Sequence, residues 1–214
     1  MSELPRLQAI VDVEYAVKAG WAPADLARAF LDGGATFLQV RGKHLSSGAL
    51  LDVCVEVMRL AEPCRAAVIV NDRIDVARLA GMSGVHVGQD DASPQTARHL
   101  LGDTAIVGWS THTPLQVAGA LDLPVTYLAI GPVFGTHTKD TGYDPRGLEA
   151  VRAAAIAAGR AARPVVAIGG ITVDRVRSVR EAGAHAVAVI ADLLNGDPAV
   201  QVGRFLRELD GVPA

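Results

Sequence analysis

VDVEYAVKAG, Val11 to Gly20, carries the chain out of the apolar run LQAIVD (7–12) and into a segment of helical period. In an open, doubly wound α/β sheet this first turn is where a dinucleotide fingerprint stands, with glycines spaced G-x-G-x-x-G. The stretch has a single glycine, at its far end. It reads as a plain strand-to-helix crossover, so the open sheet loses its best local support and a closed barrel becomes the better account of the chain.

Beyond this turn, short β-branched runs alternate with longer amphipathic segments, which is how repeated βα units look in sequence. Strand candidates are LQAIVD (7–12), TFLQVR (36–41), AVIVN (67–71), GVHVG (84–88), AIVGWS (105–110), VTYLAI (125–130), VVAIGG (165–170) and AVAVI (186–190). They number eight, as a (β/α)8 barrel requires. Parallel strands covered by helices on both faces explain the nearly unbroken apolar runs. No linker or low-complexity segment interrupts the series, and the reading is α/β, a (β/α)8 TIM barrel, one domain over residues 1–214.

Helix boundaries are legible too. Ser93-Pro94, Thr113-Pro114 and Asp197-Pro198 each place a side-chain acceptor at the N-cap and a proline in the first turn. Gly33, Gly81, Gly102, Gly159 and Gly183 follow helical stretches and are expected to end them in the left-handed conformation. Val202, Phe205, Leu206 and Leu209 recur at helical spacing, giving the last helix one apolar stripe.

The 20 basic and 23 acidic residues of this 214-residue chain give a net charge of −3 with no basic block. That excludes the usual electrostatic footprint of a nucleic-acid or anionic-membrane partner. The first ten residues, MSELPRLQAI, have neither a basic leader nor a long apolar segment, and no apolar run approaches the length of a membrane span. Two cysteines, Cys54 and Cys64, cannot complete a thiolate metal site and read as inert packing residues. A cytoplasmic protein acting on small molecules is expected; a homo-oligomer is compatible with this composition.

In such a barrel the active site is built at the carboxyl ends of the strands and the loops after them. Gln39, Arg41 and Lys43 after strand two are spaced by two, so an extended backbone points them to one side with Phe37 deeper in the same row. An amide and two cations there suit a phosphate-bearing ligand, arginine as a planar fork and lysine as a point charge. After strands three and four come Asn71, Asp72 and Gln89, Asp90, Asp91. Carboxylates from adjacent loops can meet on one hard cation, magnesium being the natural choice beside phosphates. Spacing does not separate Asp90 from Asp91, and capping or ion pairing within the loops is the competing use of Asp72 and Asp91.

Gly169-Gly170 end strand seven ahead of a helix start at Thr172, where backbone N–H groups can gather around an anion. His86 lies inside a strand and reads as a satisfied core histidine, whereas His112 in STHTP (110–114) suits either a loop hydrogen bond or proton transfer. The stretch GPVFGTHTKDTGYDP (131–145) comes after strand six. Gly131 allows close backbone approach, Thr136 and Thr138 offer donors, and Lys139 adds a charge beside Lys43, together a clamp for pyrophosphate. Residues 140–144, small and polar, suit a loop that closes over substrate. On this reading Asp72, Asp91, Lys43 and Lys139 share one hollow at the rim of the barrel.

The series QVRGK, ND, GQDD, GWSTHT, GPVFGTHTK and AIGGI, in this order, resembles the thiamine phosphate synthase family from about strand two to strand eight. The resemblance implies a (β/α)8 barrel that joins 4-amino-5-hydroxymethyl-2-methylpyrimidine pyrophosphate to a thiazole phosphate with magnesium, releasing pyrophosphate. It further implies that Gln39, Arg41, Lys43, Asn71, Ser110 and Lys139 bind the pyrimidine pyrophosphate, with Lys43, Ser110 and Lys139 closest to the chemistry. Asp72 and Asp91 would hold the metal. Thr136, His137, Thr138, Gly170, Ile190 and Ala191 would bind the thiazole phosphate, and Ala191 departs from the serine often found there. Two rivals remain: a thiazole tautomerase on the same barrel, needing neither pyrophosphate nor magnesium, and a non-catalytic phosphate-binding barrel.

Overall fold

The computed structural model describes residues 4–136 and 142–211. Among them eight strands run β1 (Leu7–Asp12), β2 (Phe37–Arg41), β3 (Ala67–Asn71), β4 (Gly84–Val87), β5 (Ile106–Thr111), β6 (Tyr127–Ile130), β7 (Val165–Ile168) and β8 (Ala186–Val189). All neighbours pair in parallel, and β8 returns to β1 through Leu7 opposite Val187 and Ala9 opposite Val189, closing the barrel. The helices are α1 (Val13–Lys18), α2 (Pro23–Asp32), α3 (Ser47–Ala61), α4 (Ile74–Leu79), α5 (Pro94–Leu101), α6 (Pro114–Ala120), α7 (Gly147–Gly159), α8 (Val176–Glu181) and α9 (Pro198–Asp210).

The period of two along each strand sorts residues into two cores. Outward residues such as Val11, Leu38, Val40, Val68 and Val70 pack under the helices. Inward residues Ile10, Phe37, Ile69, Tyr127, Val166, Ala186 and Ala188 fill the barrel. The same inward rows end in polar side chains: Gln8 and Asp12 flank Ile10, Gln39 and Arg41 follow Phe37, and Asn71 follows Ile69, all buried. An alternating strand thus puts packing and chemistry in one row, the chemistry toward the carboxyl end.

The three Pro-led starts cap as expected: Ser93 accepts from Thr96 N–H, Thr113 from Gln116 N–H and Asp197 from Ala199 and Val200 N–H. Two expected stops differ. Gly33 stays helical at φ −72°, and Gly34 is the left-handed residue at φ 97°. Gly33 serves close approach instead, because a Cβ there would lie 2.5 Å from the Ala199 carbonyl oxygen of α9. Gly159 is the last residue of α7, and the chain turns left-handed at Ala162. Strand six starts at Tyr127 rather than Val125, since Thr126 spends its hydroxyl on Val107 N–H and Arg98.

Cys54 is buried in α3, as expected, but Cys64 is exposed rather than packed. Burial pushes the Cys54 thiol up to about 12, so it stays protonated and unreactive near neutral pH. An aromatic disulfide reagent is expected to titrate Cys64 alone in the native protein and both thiols after unfolding. Equal labelling of both in the native state would overturn this. No helix among the described residues is long and apolar enough to cross a membrane.

Candidate active site

A cavity of about 610 Å³ opens at the carboxyl ends of the strands, within the roughly 300–1,000 Å³ usual for small-molecule sites. Gln39 and Arg41 from β2, Asn71 from β3, Ser110 from β5, Thr136 after β6, Gly170 after β7, and Ile190 and Ala191 after β8 all line it. Six loops or strand ends, distant in sequence, therefore converge. The expectations for His137, Thr138 and Lys139, and for residues 140 and 141, lie outside the described residues.

Lys43, Asp72 and Asp91 are not in the cavity wall. They stand in the segments after β2, β3 and β4, at the barrel end where the cavity opens. Lys43 is exposed in the turn after β2. The Asp72 N–H donates to the His86 carbonyl at 2.7 Å, which pins this residue beside the end of β4, and its backbone is left-handed at φ 64°. Asp91 folds back so that one carboxylate oxygen accepts from Gly88 N–H at 2.7 Å, a bond that closes the loop and is neither the helix cap nor the ion pair expected as its competing use. No three His, Cys, Asp or Glu side chains form a metal-binding group among the described residues. A cation here would rest on one or two carboxylates, with its remaining positions open to substrate oxygens and water, a donor set that suits a hard divalent ion.

The chain matches the family model described as "Thiamine monophosphate synthase" over residues 8–193. It is 44% identical over 209 residues to a thiamine-phosphate synthase of Koribacter versatilis, covering 97% of both chains. It is 41% identical to one from Anaeromyxobacter dehalogenans, over 89% of this chain and 85% of that one. A solved thiamine phosphate pyrophosphorylase from Pyrococcus furiosus superposes with a TM-score of 0.86 at 27% identity, covering 98% and 97% of the two chains. The chain belongs to the thiamine monophosphate synthase family.

Among the residues the sequence reading missed are Gln8, which lines the cavity, and Asp12, which stands behind the wall in the crossover VDVEYAVKAG. Asp12 is buried at the end of β1, directly opposite Arg41 in the barrel register. One of its carboxylate oxygens pairs with the Arg41 guanidinium; the other accepts from Tyr15 N–H at 3.0 Å and caps α1. Asp12 thus aims the Arg41 fork along the wall and balances its charge. Its inward parity with Gln8 and Ile10 was the available signal. Asp12→Asn keeps an acceptor for the cap but removes the counter-charge from a buried guanidinium, and is expected to cost about 2 kcal/mol of stability. Thermal unfolding checks this, and an unchanged midpoint would show that solvent already screens the pair.

The histidines divide as their surroundings dictate. His112 Nδ1 lies 2.6 Å from the Gly131 carbonyl, and a carbonyl only accepts, so that nitrogen carries a proton. Its ring stacks on Tyr143 at 4.3 Å between centroids, tying the loop after β5 to the segment before α7. This is the loop-holding role of the two expected for it. His86 is buried and satisfied, as expected, but its partners Tyr127 and Ser110 put it at the cavity wall.

Proposed function

We propose that this barrel works as a thiamine-phosphate synthase, condensing 4-amino-5-hydroxymethyl-2-methylpyrimidine pyrophosphate with a thiazole phosphate and releasing pyrophosphate. The observation that carries the reading is the convergence of eight of the residues assigned by resemblance, from Gln39 to Ala191, on one cavity at the carboxyl end of the barrel. The curated relatives bear the same enzyme name at up to 44% identity. The chain acts in the cytoplasm, on small molecules, as one domain spanning residues 1–214.

In this reading Gln39, Arg41, Lys43, Asn71, Ser110 and Lys139 bind the pyrimidine pyrophosphate, with Lys43, Ser110 and Lys139 closest to the departing pyrophosphate. Thr136, His137, Thr138, Gly170 and the backbone at Ile190 and Ala191 hold the thiazole phosphate. Asp72 and Asp91 hold magnesium, which when bound supplies counter-charge for the departing pyrophosphate. As the pyrophosphate leaves, the electron-rich aminopyrimidine stabilises the methylene cation left behind, and the thiazole nitrogen attacks it. The fixed cations stabilise charge that grows in the transition state, the most productive use of preorganised groups. No side-chain nucleophile is needed. Phe37, Ile69 and Val166 fill the barrel beneath the polar row.

Mixing the two substrates with magnesium and following pyrophosphate is the test. The synthase releases it only when the thiazole phosphate is present. A tautomerase releases none while isomerising the thiazole, and a binding module turns over nothing.

A further inference from the structure

Four polar side chains stand in a line inside the barrel. Gln8 of β1 places its amide nitrogen 3.0 Å from the Tyr127 hydroxyl of β6. That hydroxyl is 2.9 Å from Nδ1 of His86 on β4, and His86 Nε2 is 2.9 Å from Ser110 Oγ on β5. All four are buried. Room for the line exists because β5 carries glycine at 108: a Cβ there would fall 2.3 Å from the Tyr127 hydroxyl and 2.4 Å from His86 Nδ1.

Proton counting gives the line a direction. The Gln8 NH2 only donates, so the Tyr127 oxygen accepts from it and sends its single proton to His86 Nδ1. Burial raises the Tyr127 phenol and keeps that proton on it. A neutral imidazole with an acceptor at Nδ1 carries its proton on Nε2, which then donates to Ser110 Oγ. The Ser110 hydroxyl proton is thereby turned away from His86 and toward the cavity that Ser110 lines.

We propose that Gln8, Tyr127 and His86 are positioning residues that lock His86 as the Nε2–H tautomer and so fix Ser110 as a hydrogen-bond donor to the pyrimidine pyrophosphate. The inference rests on the reading of Ser110 as a substrate contact. The opposite direction would spend the Ser110 proton on His86 and leave lone pairs facing the pyrophosphate oxygens, which only accept. The three residues act through Ser110, by removing the alternative rotors its hydroxyl would otherwise sample.

Long-range 1H–15N spectra of histidine-labelled protein test this without substrate. The His86 signals, assigned by their loss in His86→Gln, are expected to show a bare Nδ1 and a protonated Nε2. His112 is the internal contrast, with its protonated Nδ1 facing Gly131. A protonated Nδ1 on His86 in the parent protein would overturn the proposal. Tyr127→Phe removes the proton that fixes the tautomer; His86 is then expected to show averaged nitrogen shifts. KM for the pyrimidine pyrophosphate should rise about tenfold, the worth of one oriented hydrogen bond, with KM for the thiazole phosphate unchanged. An unaltered tautomer in Tyr127→Phe, or equal rises in both KM values, would also overturn it. If no pyrophosphate is released by the parent, the synthase reading fails while the tautomer measurement stands on its own.

Discussion

An Asp72→Asn variant is expected to lose on the order of a hundredfold to a thousandfold in kcat/KM for the condensation, as deletion of one preorganised charge-stabilising group does in other active sites. It should melt close to the parent. The structure recommends asparagine over alanine here. Asp72 sits at φ 64°, a conformation that Asp and Asn tolerate and that costs other side chains about 1 kcal/mol or more. Alanine would therefore mix a backbone penalty with the lost carboxylate, whereas asparagine removes the charge alone. Pyrophosphate release measured across a magnesium titration is the readout. Turnover with the parent's magnesium dependence would remove Asp72 from the metal role.

The second large effect is expected from Gly170→Ala. Gly170 is left-handed at φ 61°, and a Cβ there would lie 2.4 Å from the Gly135 carbonyl oxygen and 2.9 Å from Phe134 Cβ. The loops after β6 and β7 are laced together at this point, Val133 N–H donating to the Ile168 carbonyl and Phe134 N–H to that of Gly169. A methyl group must push them apart. Backbone strain and overpacking together are expected to cost about 3 kcal/mol, a fall in Tm of roughly 6–12 °C for a chain of this size. KM for the thiazole phosphate should rise more than tenfold, while KM for the pyrimidine pyrophosphate changes little. An unchanged Tm would show that the two loops separate freely, and an unchanged thiazole KM would take Gly170 out of that subsite.

Much of the site was legible because a strand has a period of two. Gln39, Arg41 and Phe37 share one parity, so naming the core row named the binding row. The capping pairs were equally plain, because a Ser, Thr or Asp before proline satisfies its helix within four residues. Gly33 was misread for the opposite reason: what a glycine is for there depends on α9, far along the chain, and not on its neighbours. In sequence Asp91 offered a metal ligand, a helix cap or an ion-pair partner, and only the fold shows its carboxylate turned onto Gly88 N–H.

The sequence by itself determined the number and order of βα units, the parity of each strand and the end of the barrel where polar groups collect, since these arise from local periodicity and turn chemistry. Closure of the barrel decided the rest. Gln8 meets Tyr127 across 119 residues and Asp12 meets Arg41 across 29. Such pairs exist only once strand register is fixed, because a shift of one residue would turn every inward side chain outward. Which proton points where inside this protein is therefore a property of the closed sheet and not of any segment in it.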